Sequence, residues 1–370
     1  MVYEDIRRLL PHFQFEGRFE NAMEINAGNI NTTYHLIYRL ENGERREYLL
    51  QRINTYVFKD PDGVMRNIML VTEHIEKAYA ARGVDSSRRV LRVIPTTDSQ
   101  PLYKQSEDSC WRAYNYVDHA TAYDMLEKPE HFLEAGRAFG EFQRLLTDFP
   151  AAELNETIPG FHDTLRRFYA FVASVAADKA GRVKELEEEI EFFFDRRKVM
   201  SQIVKALEAG RLPVRVTHND TKINNVMIDN ETGRAICVID LDTVMPGSAL
   251  YDFGDAIRSG ASTAAEDEPD LGKVSLDLNL FELFTKGFLS EVKGILTPEE
   301  IELLPLSVQV IACELAMRFL TDYIDGDLYF KIRTPDHNLI RARNQMALAK
   351  DIEAKLPQMR EIVRKYAQEA

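Results

Sequence analysis

Cysteine is scarce in this chain: Cys110, Cys237 and Cys313 are far apart, odd in number and form no CxxC pair. Such a set builds neither a disulfide framework nor a zinc site, and it suits a reducing cytosol. Positive charge is also short, with 46 Lys and Arg against 60 Asp and Glu and a formal net charge of −14. Nucleic acid and anionic membranes need a basic surface, so neither is expected as a partner. No uninterrupted apolar run approaches the roughly 18 residues that span a bilayer. Met1 to Phe13 alternates charged and apolar residues, where a signal peptide needs an apolar centre. Neither GxxxxGK[ST] nor GxGxxG occurs, which excludes P-loop and Rossmann readings. The expectation is a soluble, cytoplasmic monomer.

What is present reads as two lobes. A chain of 370 residues, 45% hydrophobic and 29% charged, is globular and too long for one typical core. Tyr34, Leu36, Tyr38 and Leu40 alternate with Thr33, His35, Ile37 and Arg39, the period of a half-buried strand. Asn42-Gly43 is a hairpin turn, and a second strand runs from about Glu47 to Ile53. Val64, Ile68, Val71, Ile75 and Ala78 line one face of a helix. Strand-like runs follow at Arg89–Ile94 and Cys110–Val117, and a short strand is expected before Gly28. Beyond Val117 the pattern turns helical, with Phe132, Ala135, Phe139, Phe142 and Leu146 in three-four spacing. A long charged stretch covers Val183 to Glu208, and a polar helix spans about Ile340–Ala367. Strand signals return only at Val226–Ile228 and Ala235–Ile239. The predicted fold is α+β and bilobal, with an antiparallel-sheet lobe over residues 1–117 and a larger, mainly helical lobe over 118–370.

The chemistry concentrates between Val214 and Arg258. Transfer of a phosphoryl group to a hydroxyl needs an acceptor for the proton, oxygen ligands for Mg²⁺ and a fixed geometry between them. In His218-Asn219-Asp220-Thr221-Lys222-Ile223-Asn224-Asn225, an Asp is followed five residues later by an Asn. Such a loop can place a base and a metal ligand a few ångströms apart. Asp240, at the end of the next hairpin, can close the metal site. Asp252-Phe253-Gly254 spells a metal-binding tripeptide, but it lies beyond the Pro246-Gly247 turn and begins a helical stretch. The shorter hairpin reach assigns the metal to Asp240 and leaves Asp252 as a cap or loop brace. Asp242 is either a second contact near the metal or surface.

These motifs follow the layout of the protein-kinase fold. With Asn219 where a protein kinase has Arg, the chain resembles the aminoglycoside phosphotransferase and choline kinase superfamily. That resemblance implies Asp220 as catalytic base, Asn225 and Asp240 as Mg²⁺ ligands, and His218 as a brace of the loop. It implies ATP and Mg²⁺ as cofactors. The turn Ala27 to Thr33, by its residues alone as readily a plain hairpin, is where a phosphate-covering loop belongs, with Gly28 and Asn31 near the phosphates and backbone near Tyr116 and Val117 at the adenine. The Lys expected on the third strand is missing, which leaves Gln51 or Arg52 for the phosphates.

Within the superfamily, Gly28 to Tyr34, Thr217 to Asn225, Ile239 to Ser248, Asp252 to Thr263, Met317 to Tyr323 and Gly326 to Phe330 are similar to the N-acetylhexosamine 1-kinases. Such enzymes phosphorylate the anomeric hydroxyl of N-acetylglucosamine or N-acetylgalactosamine. The resemblance implies Arg318 and Tyr329 as sugar contacts, Asp322 orienting Arg318, and Asn29 near the sugar in place of a His. Ser259 stands in place of an aromatic residue. By spacing alone, Glu314, Arg318 and Asp322 read instead as an i,i+4 ion-pair ladder. The alternatives are a kinase of the same fold for another sugar, an amino alcohol or an aminoglycoside, and an inactive nucleotide-binding pseudokinase.

Overall fold

The computed structural model describes residues 2–25 and 30–369, with side chains for 5–25 and 30–368. Gly28 and Asn29, assigned to the phosphates and the sugar, lie outside the described residues. The chain begins with an amphipathic helix, α1 (Val2–Leu9), that buries Ile6 and Leu9 and exposes Arg7 and Arg8. Next comes an antiparallel meander of β1 (Arg18–Ile25), β2 (Thr32–Arg39) and β3 (Arg45–Ile53). The alternation in β2 sets its two faces: Tyr34, Leu36 and Tyr38 join Tyr48, Leu50, Trp111 and Ala113 over Ile6 and Leu9. Thr33, His35, Gln51 and Arg112 therefore fall on the opposite face. Between β2 and β3 the Asn42-Gly43 turn needs a positive φ, and Gly43 takes 87°.

The helix α2 (Pro61–Ala80) is capped by Asp60, which accepts from the Gly63 N–H at 3.0 Å. The strand expected over Arg89–Ile94 shrinks to β4 (Val93–Ile94). It lies beside β6 (Ser109–Asn115), which also pairs with β5 (Tyr103–Ser106). The sheet order is β1-β2-β3-β6-β4, with β5 on β6. The short β7 (Ala120–Ala122) precedes the helices α3 (Pro129–Leu145), α4 (Thr164–Ala177), α5 (Glu187–Met200) and α6 (Gln202–Glu208). The charged stretch from Val183 is thus not one helix. It breaks at Ser201, whose hydroxyl turns back to the Lys198 carbonyl at 3.1 Å.

Short strands β8 (Arg215–Thr217), β9 (Val226–Asp229), β10 (Ala235–Val238) and β11 (Met245–Gly247) follow. The turn expected at Pro246-Gly247 is therefore extended, and Gly247 lies so close to Thr217 that a Cβ would sit 2.4 Å from its hydroxyl. The remaining helices are α7 (Ala249–Gly260), α8 (Leu278–Glu291), α9 (Pro298–Asp325) and α10 (His337–Glu369).

The chain divides into two compact units, neither continuous in sequence. Met1–Asp124, Asp148–Pro159 and Asn224–Met245 form the sheet unit, which includes a second sheet in the order β10-β9-β7. Met125–Thr147, Gly160–Ile223 and Pro246–Ala370 form the helical unit. The core of the helical unit is aromatic, with Phe253 of α7 against Phe281, Phe284 and Phe288 of α8 at 5.4–6.0 Å between centroids. Helices α3 and α8 approach through glycine: a Cβ on Gly136 would lie 2.3 Å from the Phe284 carbonyl, and one on Gly287 2.2 Å from that of Leu133. An 18-residue window of α9 is apolar enough by composition to cross a membrane, but 83% of it is buried in the protein's own packing.

Candidate active site

The loop carrying Asp220 is built on β8 in the helical unit. Arg215 donates a forked pair to Glu300 at 2.7 and 2.9 Å, and Glu300 also closes the capping box of α9 with Thr297. Past Thr217 the chain turns sharply, Asn219 taking a φ of 64°. The Asp252 carboxylate holds this turn, accepting from the N–H of His218 at 3.0 Å, the N–H of Asn219 at 2.8 Å and the Gln143 amide at 2.9 Å. Thr221 donates its hydroxyl to the Asp252 carbonyl at 2.6 Å and its N–H to Asp255 at 3.1 Å. Burial pushes the Asp252 carboxyl above the usual carboxylate range, and His218 with the three donors pulls it partly back. Asp252 braces the loop.

His218 is fully buried, edge-on to Phe139 and Phe142. Its Nδ1 accepts the Asp220 N–H at 3.3 Å, so it fixes the backbone of Asp220. The Asp220 side chain is half-buried and pairs with Lys222 at 3.0 Å. A carboxylate so held can accept a proton from a hydroxyl, and the ammonium beside it can meet an anionic group. Lys222 was not singled out from the sequence. Its position two residues beyond Asp220 in the same loop was the available signal.

Asn225 and Asp240 belong to the sheet unit, at the open end of the β9–β10 hairpin. Val238 pairs with Val226, and the Ile239 N–H donates to the Asn225 carbonyl at 2.9 Å, which brings the two residues side by side. Asp240 adopts a left-handed conformation, φ 59° and ψ 62°, before a short turn over Leu241–Thr243. Asp tolerates that region better than most residues. The twist leaves Asp240 exposed and sends Asp242 inward. Carboxylate and amide oxygens are hard donors that fit Mg²⁺, which takes few ligands from protein and shares the rest with phosphate and water. Among the described residues no group of three His, Cys, Asp or Glu forms a metal cage.

The other face of the large sheet carries a buried polar network that runs to this turn. Asn31 donates to Asp242 at 2.7 Å, and its side-chain oxygen accepts the Asn54 N–H at 3.0 Å. Arg112 of β6 donates to Asp242 and, at 3.0 Å, to Gln51, which donates to Thr33 at 3.0 Å. Arg112 is 1% exposed. Burial opposes its charge, yet Asp242, helped by Tyr114 and Asp240, keeps it above the ordinary guanidinium value. Of the two residues considered for the phosphates, only Gln51 reaches this network. Arg52, its neighbour on the strand, faces the opposite side, exposed and bonded to the Asp108 carbonyl at 3.2 Å. Tyr116 stacks on His35 with centroids 4.3 Å apart, and Val117 is buried beside it. The signal for Arg112 was its charge, alone in the apolar run Cys110–Val117.

On the helical unit, the polar row of α9 is not an ion-pair ladder. Glu314, 2% exposed, accepts from His162 Nδ1 at 3.1 Å and pairs with Arg167 at 3.3 Å. Burial raises its carboxyl, but His162, Arg167 and Arg318 outweigh it and hold the value below the usual range. Burial depresses Arg167 to about 10, with Arg318 adding to the effect. Arg318 sets its guanidinium over the rings of Phe161, Phe330 and Tyr329 at 5.1, 5.6 and 6.0 Å. Asp322 does not reach it. Its carboxylate accepts the N–H groups of Leu328, Tyr329 and Phe330 at 2.8–2.9 Å and the Asn338 amide at 2.9 Å, fixing the loop that presents Tyr329. Ser259 spends its hydroxyl on the Asp255 carbonyl at 2.8 Å.

Residues 21–283 match the sequence pattern of the APH phosphotransferase enzyme family. A microcompartment-associated aminopropanol kinase has a similar structure at 18% identity and a TM-score of 0.62, covering 96% of this chain and 98% of its own. An aminoglycoside phosphotransferase from Alicyclobacillus acidocaldarius is similar at 15% identity and 0.60, covering 97% and 96%. An amicoumacin kinase in complex with AMP-PNP and Ca²⁺ is similar at 14% and 0.58, covering 95% and 93%.

Proposed function

This chain belongs to the phosphotransferase enzyme family, and on that premise we propose that it transfers the γ-phosphoryl group of ATP to the anomeric hydroxyl of an N-acetylhexosamine. Asp220 accepts the hydroxyl proton as the sugar oxygen attacks phosphorus. The bond from phosphorus to the bridging oxygen breaks, and ADP leaves. Asn225 and Asp240 would hold Mg²⁺, which supplies charge neutralisation at the phosphates. The amicoumacin kinase of the same fold, bound to AMP-PNP and Ca²⁺, supports a nucleotide with a divalent cation.

The observation that carries the sugar assignment is the setting of Arg318. A guanidinium framed by Phe161, Tyr329 and Phe330, and close enough to Arg167 to help depress it, opposes a cationic acceptor such as an amino alcohol or aminoglycoside. It suits a neutral, hydroxyl-rich ring whose apolar face lies on an aromatic one. ADP release measured over N-acetylhexosamines, their 1-O-methyl glycosides, choline, aminopropanol and aminoglycosides tests this. Activity is expected with the free N-acetylhexosamines and lost with the blocked glycosides. Equal activity with the 1-O-methyl glycosides, or turnover of choline or aminopropanol alone, sinks the anomeric assignment.

A further inference from the structure

The strand β3 reads Arg45-Arg46-Glu47-Tyr48-Leu49-Leu50-Gln51-Arg52-Ile53 and has no lysine, and the residue it gives to the buried polar network is the uncharged Gln51. The cation of that network stands one strand over. Arg112 is paired with Gln51 in the β3–β6 register, is buried, and is bonded to Asp242, two residues past Asp240. On its far side Asp242 takes the amide of Asn31, which lies immediately before β2, within the turn assigned to the phosphates. Resting on the kinase reading above, we propose that Arg112 replaces the missing β3 lysine as a positioning residue. Through Asp242 and Asn31 it locks the metal turn to the loop before β2 and offsets the paired negative charge of Asp240 and Asp242.

The physical case is one of charge and order. Two aspartates in one turn, a divalent cation and a polyphosphate need a fixed arrangement, and an unpaired Asp242 buried in this position would be strongly destabilising. Gln51 completes the relay by fixing the guanidinium plane, since it accepts from Arg112 Nε and donates to Thr33. A guanidinium can hold Asp242 and Gln51 together in this way, whereas an ammonium carries the charge without the planar fork.

Calorimetric binding of AMP-PNP at graded Mg²⁺, with denaturant unfolding in parallel, tests the assignment without relying on turnover. Arg112→Met should weaken Mg²⁺-dependent nucleotide binding about 10- to 100-fold, the range for partners that orient metal ligands. Arg112→Lys should recover part of that loss. A folded Arg112→Met protein that binds Mg²⁺ and AMP-PNP as wild type overturns the proposal. So does a loss of stability alone, with affinity unchanged. If Arg112→Met does not fold, Asp242→Asn carries the test, and an unchanged Mg²⁺ dependence in it has the same meaning. Wild-type protein that binds no AMP-PNP at any Mg²⁺ concentration strikes the kinase reading itself and the relay with it.

Discussion

Each unit holds a turn braced by a buried aspartate, Asp252 in one and Asp242 in the other, and the two are met by different donors. In the helical unit, Asp252 collects backbone N–H groups and one amide, all neutral, to fix the loop of Asp220. In the sheet unit, Asp242 is met by the full charge of Arg112 and by Asn31. The neutral donors leave burial dominant, so the Asp252 carboxyl is pushed up. In the sheet unit it is the carboxylate that acts on its partner, keeping the buried Arg112 charged. Asp252 is therefore a structural clamp, and Asp242 is one half of a buried ion pair two residues from Asp240.

The largest effect should fall on the residue that Asp252 exists to hold. Asp220→Asn is expected to lower kcat by about 10²–10⁴-fold, the usual range for a general base, while Mg²⁺-dependent AMP-PNP binding is retained. Steady-state turnover at saturating substrate reads the first and calorimetry the second. Turnover within a few-fold of wild type would remove Asp220 from the role of base. Next in size is Asp252→Ala, which leaves the N–H groups of His218 and Asn219 buried and unpaired. About 3 kcal/mol or more of unfolding free energy should be lost, read from a denaturant midpoint. The comparison breaks if Asp252→Ala keeps its stability and instead changes the Mg²⁺ concentration needed for nucleotide binding, for that is the signature expected of the Asp242 side.

Some of this contrast was legible in the sequence, for a physical reason. The alternation of Tyr34, Leu36 and Tyr38, the Asn42-Gly43 turn and the helix through Val64 and Ile75 are local patterns, and the chain folds them as local physics dictates. The reading of Asp252 as a loop brace rests on its place beyond the hairpin, and its bonds to His218, Asn219 and Gln143 fit it. The Arg112–Asp242 pair was not legible, since its partners are 130 residues apart and nothing local announces which strand lies beside which. The same holds for Glu314, whose i+4 neighbour Arg318 invited a ladder. Burial gave Glu314 to His162 and Arg167 across the fold, and it left Arg318 among aromatic rings.

A middle-sized effect sharpens the metal side. Asp240→Ala should raise the Mg²⁺ concentration for half-maximal AMP-PNP binding by about 10- to 100-fold. Its stability should change little, because the Asp240 side chain is exposed and Asp242 keeps the turn in place. An unchanged Mg²⁺ requirement would move the metal away from the hairpin.

The smallest effect concerns pH and bears on whether the buried carboxylates of the helical unit act through their charge. Glu314 and Asp255 are both buried, and both are held below their ordinary values of 4.5 and 3.8 because neighbouring cations outweigh burial. A carboxyl depressed on folding stabilises the native state above its unfolded pKa, and the gain is lost as pH falls through the folded value. Asp252, raised on folding, has the opposite sign: its contribution is present below about 3.8 and declines as pH rises through its folded value. Wild type should therefore lose stability from about pH 4.5 downward. Glu314→Gln should be the less stable protein near neutrality, with the difference shrinking on acidification as the wild-type carboxyl takes up its proton. Unfolding midpoints from pH 7 to pH 3 for the two proteins check this. A difference that stays constant or grows toward low pH would mean that Glu314 acts by shape and not by charge.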